Sequence, residues 1–116
     1  MKLKEIVEIL SLKPLVPSAG LEREVSGGYV GDLLSDVMAN AGEGNIWITL
    51  QTHVNIVAVA VFKNLSAIVT VNGRMPDADT MEKAAEENIP ILLTGKSAFE
   101  TAGKLYQILN AKGIQD

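Results

Sequence analysis

The chain has 116 residues, of which 47% are hydrophobic and 21% are charged, and it contains no cysteine. This length predicts one domain over residues 1–116, and the apolar content excludes intrinsic disorder. The lack of cysteine excludes a disulfide framework, a cysteine-ligated metal and a thiol nucleophile. The formal net charge of −4 argues against nucleic acid as a partner, because its phosphates repel an acidic protein.

The beginning of the chain and its apolar runs argue against secretion and membrane insertion. Charged residues follow Met1 without the apolar stretch of a signal peptide. The longest apolar run, Ile56 to Phe62, is far too short to span a bilayer. We therefore expect a cytoplasmic protein that makes no membrane contact.

The first third of the chain mixes helical and extended patterns. Apolar residues at helical spacing predict an amphipathic helix over Lys2–Leu10, which ends before Pro14. The alternation in Leu21–Val25 predicts a strand, and Gly27-Gly28 predicts a tight bend after it. A ligand loop at this bend, extending to Tyr29, is the alternative.

A further helix is expected after this bend. Asp32 is placed to cap it, and four apolar residues form its buried stripe: Leu33, Leu34, Val37 and Met38.

The remainder of the chain alternates between strands and helices. We predict strands over Asn45–Leu50, Ala67–Val71 and Pro90–Thr94, and helices over Val54–Phe62, Asp77–Asn88 and Ser97–Lys112. The segment at 54–62 has the β-branched content of a strand, but apolar strands in parallel need a helical crossover between them. The predicted fold class is α/β, a three-layer sandwich with a mainly parallel sheet flanked by helices.

The last predicted helix buries an apolar stripe that includes both of its aromatic residues. This stripe is Phe99, Ala102, Leu105, Tyr106 and Leu109. Separately, Asp77–Glu87 carries five acidic residues and one lysine. A solvated helix face explains this charge, and a docking surface for a basic partner is the alternative.

Polar residues follow three strands of the predicted parallel sheet. Ligands of open α/β sheets bind beyond the carboxyl ends of the strands, so these loops form the candidate site. Glycine allows backbone N–H groups to approach an anion, and lysine and arginine supply positive charge. The candidate ligand-binding residues are Thr52, His53, Asn72, Gly73, Arg74, Thr94, Gly95, Lys96 and Ser97.

The triplet Gly95-Lys96-Ser97 matches only the end of a phosphate-binding P-loop. The first glycine of that motif is replaced by Pro90. Ser97 and Glu100 instead have the spacing of a helix capping box.

Metal and catalytic signatures are weak in this sequence. His53 is the only histidine, and no carboxylate is close to it in sequence. Asp32 and Asp36 are four residues apart and suit a hard cation, but a helix cap and an exposed residue explain them as well. We predict no metal, no cofactor and no catalytic residue.

Several segments of the chain resemble the DRTGG domain family, over the range from Val16 to Tyr106. These segments are Arg23–Gly28, Gly44–Thr49, Gln51–Ala58, Val71–Arg74 with Pro76, and Ile89–Leu92. The chain is most similar to free-standing members, which tend to be encoded near iron-only hydrogenase subunits. It departs from the family at Thr52-His53, where members tend to have Asp-Arg, and at Asn72-Gly73-Arg74, where they have Thr-Gly-Gly.

The resemblance implies a regulatory, oligomeric α/β domain with no assigned catalysis, often fused to CBS domains in regulated pyrophosphatases. We expect a non-enzymatic regulatory or protein-interaction domain that senses a small anionic ligand such as a nucleotide or phosphorylated metabolite. A hydrogenase-related protein is the expected partner. The alternatives are an enzyme or accessory subunit that uses His53 and Lys96, and a structural partner of a redox complex.

A homodimer is expected from the apolar content of two segments. Ile46–Phe62 and Ala67–Val71 hold more apolar residues than one small sheet buries easily.

Overall fold

The computed structural model describes residues 1–16 and 20–111. Its elements are α1 (Leu3–Ile9), β1 (Lys13–Pro14), a short 3₁₀ helix (Gly20–Glu22), β2 (Gly27–Val30), α2 (Leu34–Asn40), β3 (Asn45–Thr49), α3 (Asn55–Phe62), β4 (Ala67–Thr70), α4 (Ala78–Glu87), β5 (Ile91–Leu93) and α5 (Ala98–Leu109). The strands form one sheet in the order β1-β5-β4-β3-β2. Strands β2 to β5 are parallel, and β1 pairs antiparallel with β5.

Helices cover both faces of this sheet. Successive side chains of a strand point to opposite faces, so one strand contributes residues to two separate cores. Trp47 of β3 packs in the core shared with α2, α3 and α4. Its neighbours Ile46 and Ile48 pack in the second core, with α1 and α5. The predicted three-layer α/β sandwich with a mainly parallel sheet is therefore confirmed.

The helix predicted over 54–62 is present as α3. It connects β3 to β4, which pair in parallel with Ile46 opposite Ala67. Ile56, Val57 and Ala60 are fully buried, which explains the apolar sequence that also suited a strand. The need for a crossover between parallel strands thus outweighs the β-propensity of the segment.

The strand predicted over Leu21–Val25 is wrong, and so is the bend at Gly27-Gly28. Residues 20–22 form the 3₁₀ helix, and the two glycines begin β2 at the edge of the sheet. A Cβ on Gly28 would lie 2.9 Å from Cδ2 of Leu105, so glycine allows α5 to pack closely on β2. Arg23 instead donates to the carbonyls of Leu65 and Asn88, both at 3.0 Å.

The prediction that Asp32 caps α2 is also wrong. The cap position is Leu33, which makes no side-chain capping bond. The Asp32 carboxylate accepts from the Thr49 hydroxyl at 2.8 Å and from the Leu50 N–H at 2.7 Å. Asp32 therefore satisfies donors at the end of β3 rather than at the start of a helix.

The predicted stripe of α5 is wrong at its two aromatic residues. Leu105 is buried, but Phe99 is 88% exposed and Tyr106 is 71% exposed. The helix spans Ala98–Leu109, and the predicted end at Lys112 lies outside the described residues. Helical spacing places both aromatics beside the buried face instead of on it.

The acidic segment forms the solvated face of α4, as expected. Its acidic side chains are exposed, and Lys83 pairs with Glu86 at 3.6 Å and with Glu87 at 3.7 Å. Within residues 1–16 and 20–111, no helix has the length and apolar character needed to cross a bilayer.

Candidate functional site

The three predicted loops lie at one edge of the sheet. They follow β3, β4 and β5, and the carboxyl ends of parallel strands meet at the same edge. His53, Arg74 and Lys96 are exposed there. Of the nine predicted residues, only Thr94 is buried, at 7% exposure.

Backbone hydrogen bonds join these loops to one another. The Thr52 carbonyl accepts from the Asp77 N–H at 3.1 Å and from the Thr80 hydroxyl at 2.7 Å. The N–H groups of Asn72 and Gly73 donate to the carbonyls of Lys96 and Thr94, both at 2.9 Å. The positions of the loops are therefore fixed without any of their charged side chains.

The loop after β4 is a tight turn with an Asn-Gly centre. Asn72 and Gly73 have φ values of 55° and 68°, and the Arg74 N–H donates to the Val71 carbonyl at 3.1 Å. Positive φ at both central residues defines a type I′ turn, for which Asn-Gly is the preferred sequence. Turn geometry thus explains these two residues, and the Asn-Gly dipeptide is the sequence signal for this turn.

This turn corrects one detail of the predicted anion site. The Gly73 N–H was expected to be available to an anion, but it donates to Thr94. Gly95, by contrast, has a negative-φ backbone, and a Cβ there would meet no atom within 4 Å. The Gly73 N–H is therefore engaged within the fold, and neither φ nor a close neighbour requires glycine at position 95.

The loops after β4 and β5 lead to opposite faces of the sheet. The helix after β4 packs in the core with Trp47, whereas the helix after β5 packs in the core with Ile46 and Ile48. Neighbouring loops that diverge in this way form the crevice in which ligands of open α/β sheets bind. Arg74 follows the turn after β4, and Lys96 lies in the loop after β5.

A second lysine, Lys104 of α5, interacts with Lys96. The side chain of Lys96 lowers the pKa of Lys104 through hydrogen bonding and charge repulsion, with Glu100 acting in the opposite direction. Among the described residues, no carboxylate forms an ion pair with Arg74, Lys96 or Lys104. Lys104 was not among the predicted site residues, because its proximity to Lys96 depends on the path of the chain into α5.

Ser97 caps α5, as predicted. Its hydroxyl oxygen accepts from the Glu100 N–H at 3.1 Å. The second bond of the expected capping box differs, since Glu100 contacts the Ser97 hydroxyl at 3.4 Å instead of the Ser97 N–H. The Ser97 oxygen is thus engaged in holding the helix end.

His53 lies at the start of α3. Its Nδ1 accepts from the Asn55 N–H at 3.2 Å, and no carboxylate of the described residues bonds to the ring. Across residues 1–16 and 20–111, no group of three histidine, cysteine, aspartate or glutamate side chains is arranged to hold a metal ion. The Asp36 carboxylate accepts from Tyr29 and Asn40 and is engaged within its own part of the fold.

One buried hydroxyl near the site is unsatisfied. Thr70 is the last residue of β4 and is 0% exposed, and its Oγ1 has no hydrogen-bond partner among the described residues. Its neighbour across the sheet, Thr49, has Asp32 as a partner. Thr70 was not among the predicted site residues, because it lies within the apolar segment Ala67–Val71.

No family model matches the chain, and no curated protein matches it either. Among solved structures, it is similar to the CBS and DRTGG domains of the regulatory region of Clostridium perfringens pyrophosphatase, complexed with the activator diadenosine tetraphosphate. The TM-score is 0.70 at 21% sequence identity, over 90% of this chain and 45% of that one. The chain thus spans less than half of that structure, and at this identity the similarity concerns the fold. Together with the sequence resemblance, it supports a DRTGG-like fold for this chain.

Proposed function

We propose that this chain is a non-enzymatic regulatory domain that works as a homodimer and senses a small anionic ligand, such as a nucleotide or phosphorylated metabolite. The observation that carries the proposal is the placement of Arg74 and Lys96, both exposed, in two loops that backbone hydrogen bonds join, with no carboxylate of the described residues in ion-pair contact with either. Lys96 also lowers the pKa of Lys104. Two adjacent ammonium groups repel each other, and a bound anion relieves that repulsion.

The surrounding loops suit an anion in two further respects. Arg74 adds an exposed guanidinium next to the turn after β4, and a guanidinium forms bidentate bonds to phosphate or carboxylate. Because the loops are held by backbone bonds, the three cations do not have to stabilise the fold by pairing with acidic groups. A nucleotide or a phosphorylated metabolite has the charge to occupy this position.

The regulatory part of the proposal draws on the fold. The similar region of the pyrophosphatase is regulatory and was obtained in complex with a nucleotide activator. A sensing role in this chain fits the surroundings of His53, whose Nδ1 accepts from the Asn55 N–H and whose ring bonds to no carboxylate of the described residues. The cytoplasmic location and a hydrogenase-related partner remain predictions from the sequence.

A thermal-shift screen tests the proposal first. Nucleotides and phosphorylated metabolites are compared with the corresponding uncharged nucleosides and alcohols. A ligand that binds only the folded chain raises its melting temperature, so we expect shifts with the anions alone. Equal shifts with the uncharged compounds, or none with any anion, would contradict an anion sensor.

Calorimetry then locates the site. We expect Arg74→Ala and Lys96→Ala each to weaken binding of the best anion by about tenfold or more, because a hydrogen bond to a charged group contributes about 1.5–3 kcal/mol. Lys83→Ala is the matched control, since Lys83 lies on α4 and pairs with Glu86 and Glu87. Unchanged affinity in both site variants would place the ligand elsewhere.

A further inference from the structure

A groove of about 560 Å³ lies between α5 and the edge strand β2. None of the nine predicted ligand residues lines it. Phe99 and Tyr106 stand on its helix side, and Val30, 49% exposed, lies on its strand side. Among the described residues, no charged side chain lines the groove. It therefore lacks the cation that a phosphorylated ligand requires.

Gly103 lies in the middle of α5 and faces this groove. A Cβ at this position would meet no atom within 4 Å, and its φ is not positive. Nothing within the described chain therefore requires glycine here, although glycine is less favourable than alanine inside a helix. The missing side chain leaves room at this point for close approach by another chain.

Two exposed aromatic residues flank that glycine on the same side of the helix. Phe99 precedes Gly103 by one turn, and Tyr106 follows it by one turn. Aromatic residues are enriched, and charged residues depleted, at the centres of protein interfaces. This stripe of α5 has both properties of an interface centre.

The arrangement is complementary to itself. The exposed aromatic rings border the groove that would receive such rings, and the stripe is nearly symmetric about the middle of α5. A two-fold axis brings the same patch of two copies together, so that each copy offers the other both ring and groove. A second copy of this chain therefore fits the surface better than a charged ligand does.

We propose that the face formed by α5 and β2 is the interface of a homodimer, in which two α5 helices cross antiparallel at Gly103 and Phe99 of each copy enters the groove of the other. This inference rests on the homodimer of the proposed function and assigns it a surface. It also replaces most of the sequence argument for a dimer, which rested on Ile46–Phe62 and Ala67–Val71. Most apolar residues of these segments are buried within the chain's own core, although Val61 and Phe62 are exposed.

Sedimentation of paired variants tests the assignment. The wild-type chain should sediment as a dimer, at twice 12.4 kDa, at tens of micromolar, and Phe99→Lys should sediment as a monomer. Phe62→Lys is the matched control, because Phe62 is 74% exposed on α3, on the opposite face of the sheet. A monomeric wild type, or a Phe99→Lys variant that stays dimeric, would overturn the proposal.

Cross-linking tests the crossing point without disturbing the surface charge. The chain has no cysteine, so Gly103→Cys introduces a single thiol that should form an intermolecular disulfide on mild oxidation. Ala58→Cys, exposed on α3, should stay reduced under the same conditions. Cross-linking of Ala58→Cys but not of Gly103→Cys would overturn the proposal. Anion binding is measured separately, so loss of this interface is distinguishable from loss of the ligand site.

Discussion

The backbone N–H of Asn72 donates to the carbonyl of Lys96 over 2.9 Å and so ties together two loops that lead to opposite faces of the sheet. The adjacent bond from Gly73 to Thr94 makes this a double connection. The relative positions of the two loops are therefore fixed by the backbone. The exposed side chains of Arg74 and Lys96 are available to a ligand.

Glycine at position 73 is required by the turn, whereas glycine at position 95 is not. Both positions have open space where a Cβ would be, but only Gly73 has positive φ, at 68°. We expect Gly73→Ala to lower the free energy of unfolding by about 1–2 kcal/mol, because an L-residue is strained in the left-handed region. Gly95→Ala should have a much smaller effect. Urea denaturation measures both, and equal losses would contradict the turn argument.

The sheet and its crossovers were predictable because their signals are strong. Apolar strands at 45–50 and 67–71 need parallel partners, and this requirement identified α3 despite its β-branched sequence. The placement of the three loops at one edge follows from the same argument. A backbone rule that holds for nearly all parallel sheets thus carries most of the fold prediction.

Residues whose role depends on distant partners were not predictable. Asp32 has the local signature of a helix cap, but its acceptor oxygen is used by Thr49 and Leu50 of a neighbouring strand end. The pair Gly27-Gly28 has the local signature of a bend, but Gly28 is instead the position at which Leu105 of α5 packs on β2. Neither relationship can be recognised from the spacing of nearby residues, because each joins elements that are far apart in the sequence.

The Asp32 carboxylate should contribute to stability through its bonds to the end of β3. We expect Asp32→Ala to lower the free energy of unfolding by about 1.5–3 kcal/mol, because it removes charge-assisted bonds to an N–H and a hydroxyl. Asp32→Asn retains an acceptor oxygen and should lose less. Denaturation of both variants measures this order, and an Asp32→Ala variant as stable as the wild type would show that these bonds contribute nothing.

Two buried threonines give a matched pair with opposite expectations. Thr70 and Thr80 are both 0% exposed, but only the Thr80 hydroxyl has a partner, the Thr52 carbonyl at 2.7 Å. Thr70→Val should raise the free energy of unfolding by about 1 kcal/mol or more, because it removes an unsatisfied buried group. Thr80→Val should lower it. A destabilised Thr70→Val would indicate that this hydroxyl has a bound water or ligand as its partner.

The pKa of Lys104 should respond to its neighbour and to an anion. Lys96 lowers the pKa of Lys104 below its ordinary value of 10.5, and NMR of the lysine ammonium groups should show it returning toward that value in Lys96→Gln and in saturating phosphate. Because the folded pKa is the lower one, the folded state binds fewer protons than the unfolded state between the two values. Stability from this group therefore rises with pH in that window. An ordinary pKa in the wild type would remove the electrostatic argument for the site.

The most direct test of the central claim is to map anion binding by amide NMR on the isotope-labelled chain. Titration with pyrophosphate, and then with the best anion from the screen, should shift the amides of residues 72–74 and 94–98, with Lys96→Ala weakening the response by about tenfold or more. Sodium chloride at equal ionic strength controls for general salt effects. Saturable shifts confined to the crevice would support an anion sensor. Shifts elsewhere, or a response that Lys96→Ala leaves unchanged, would contradict it.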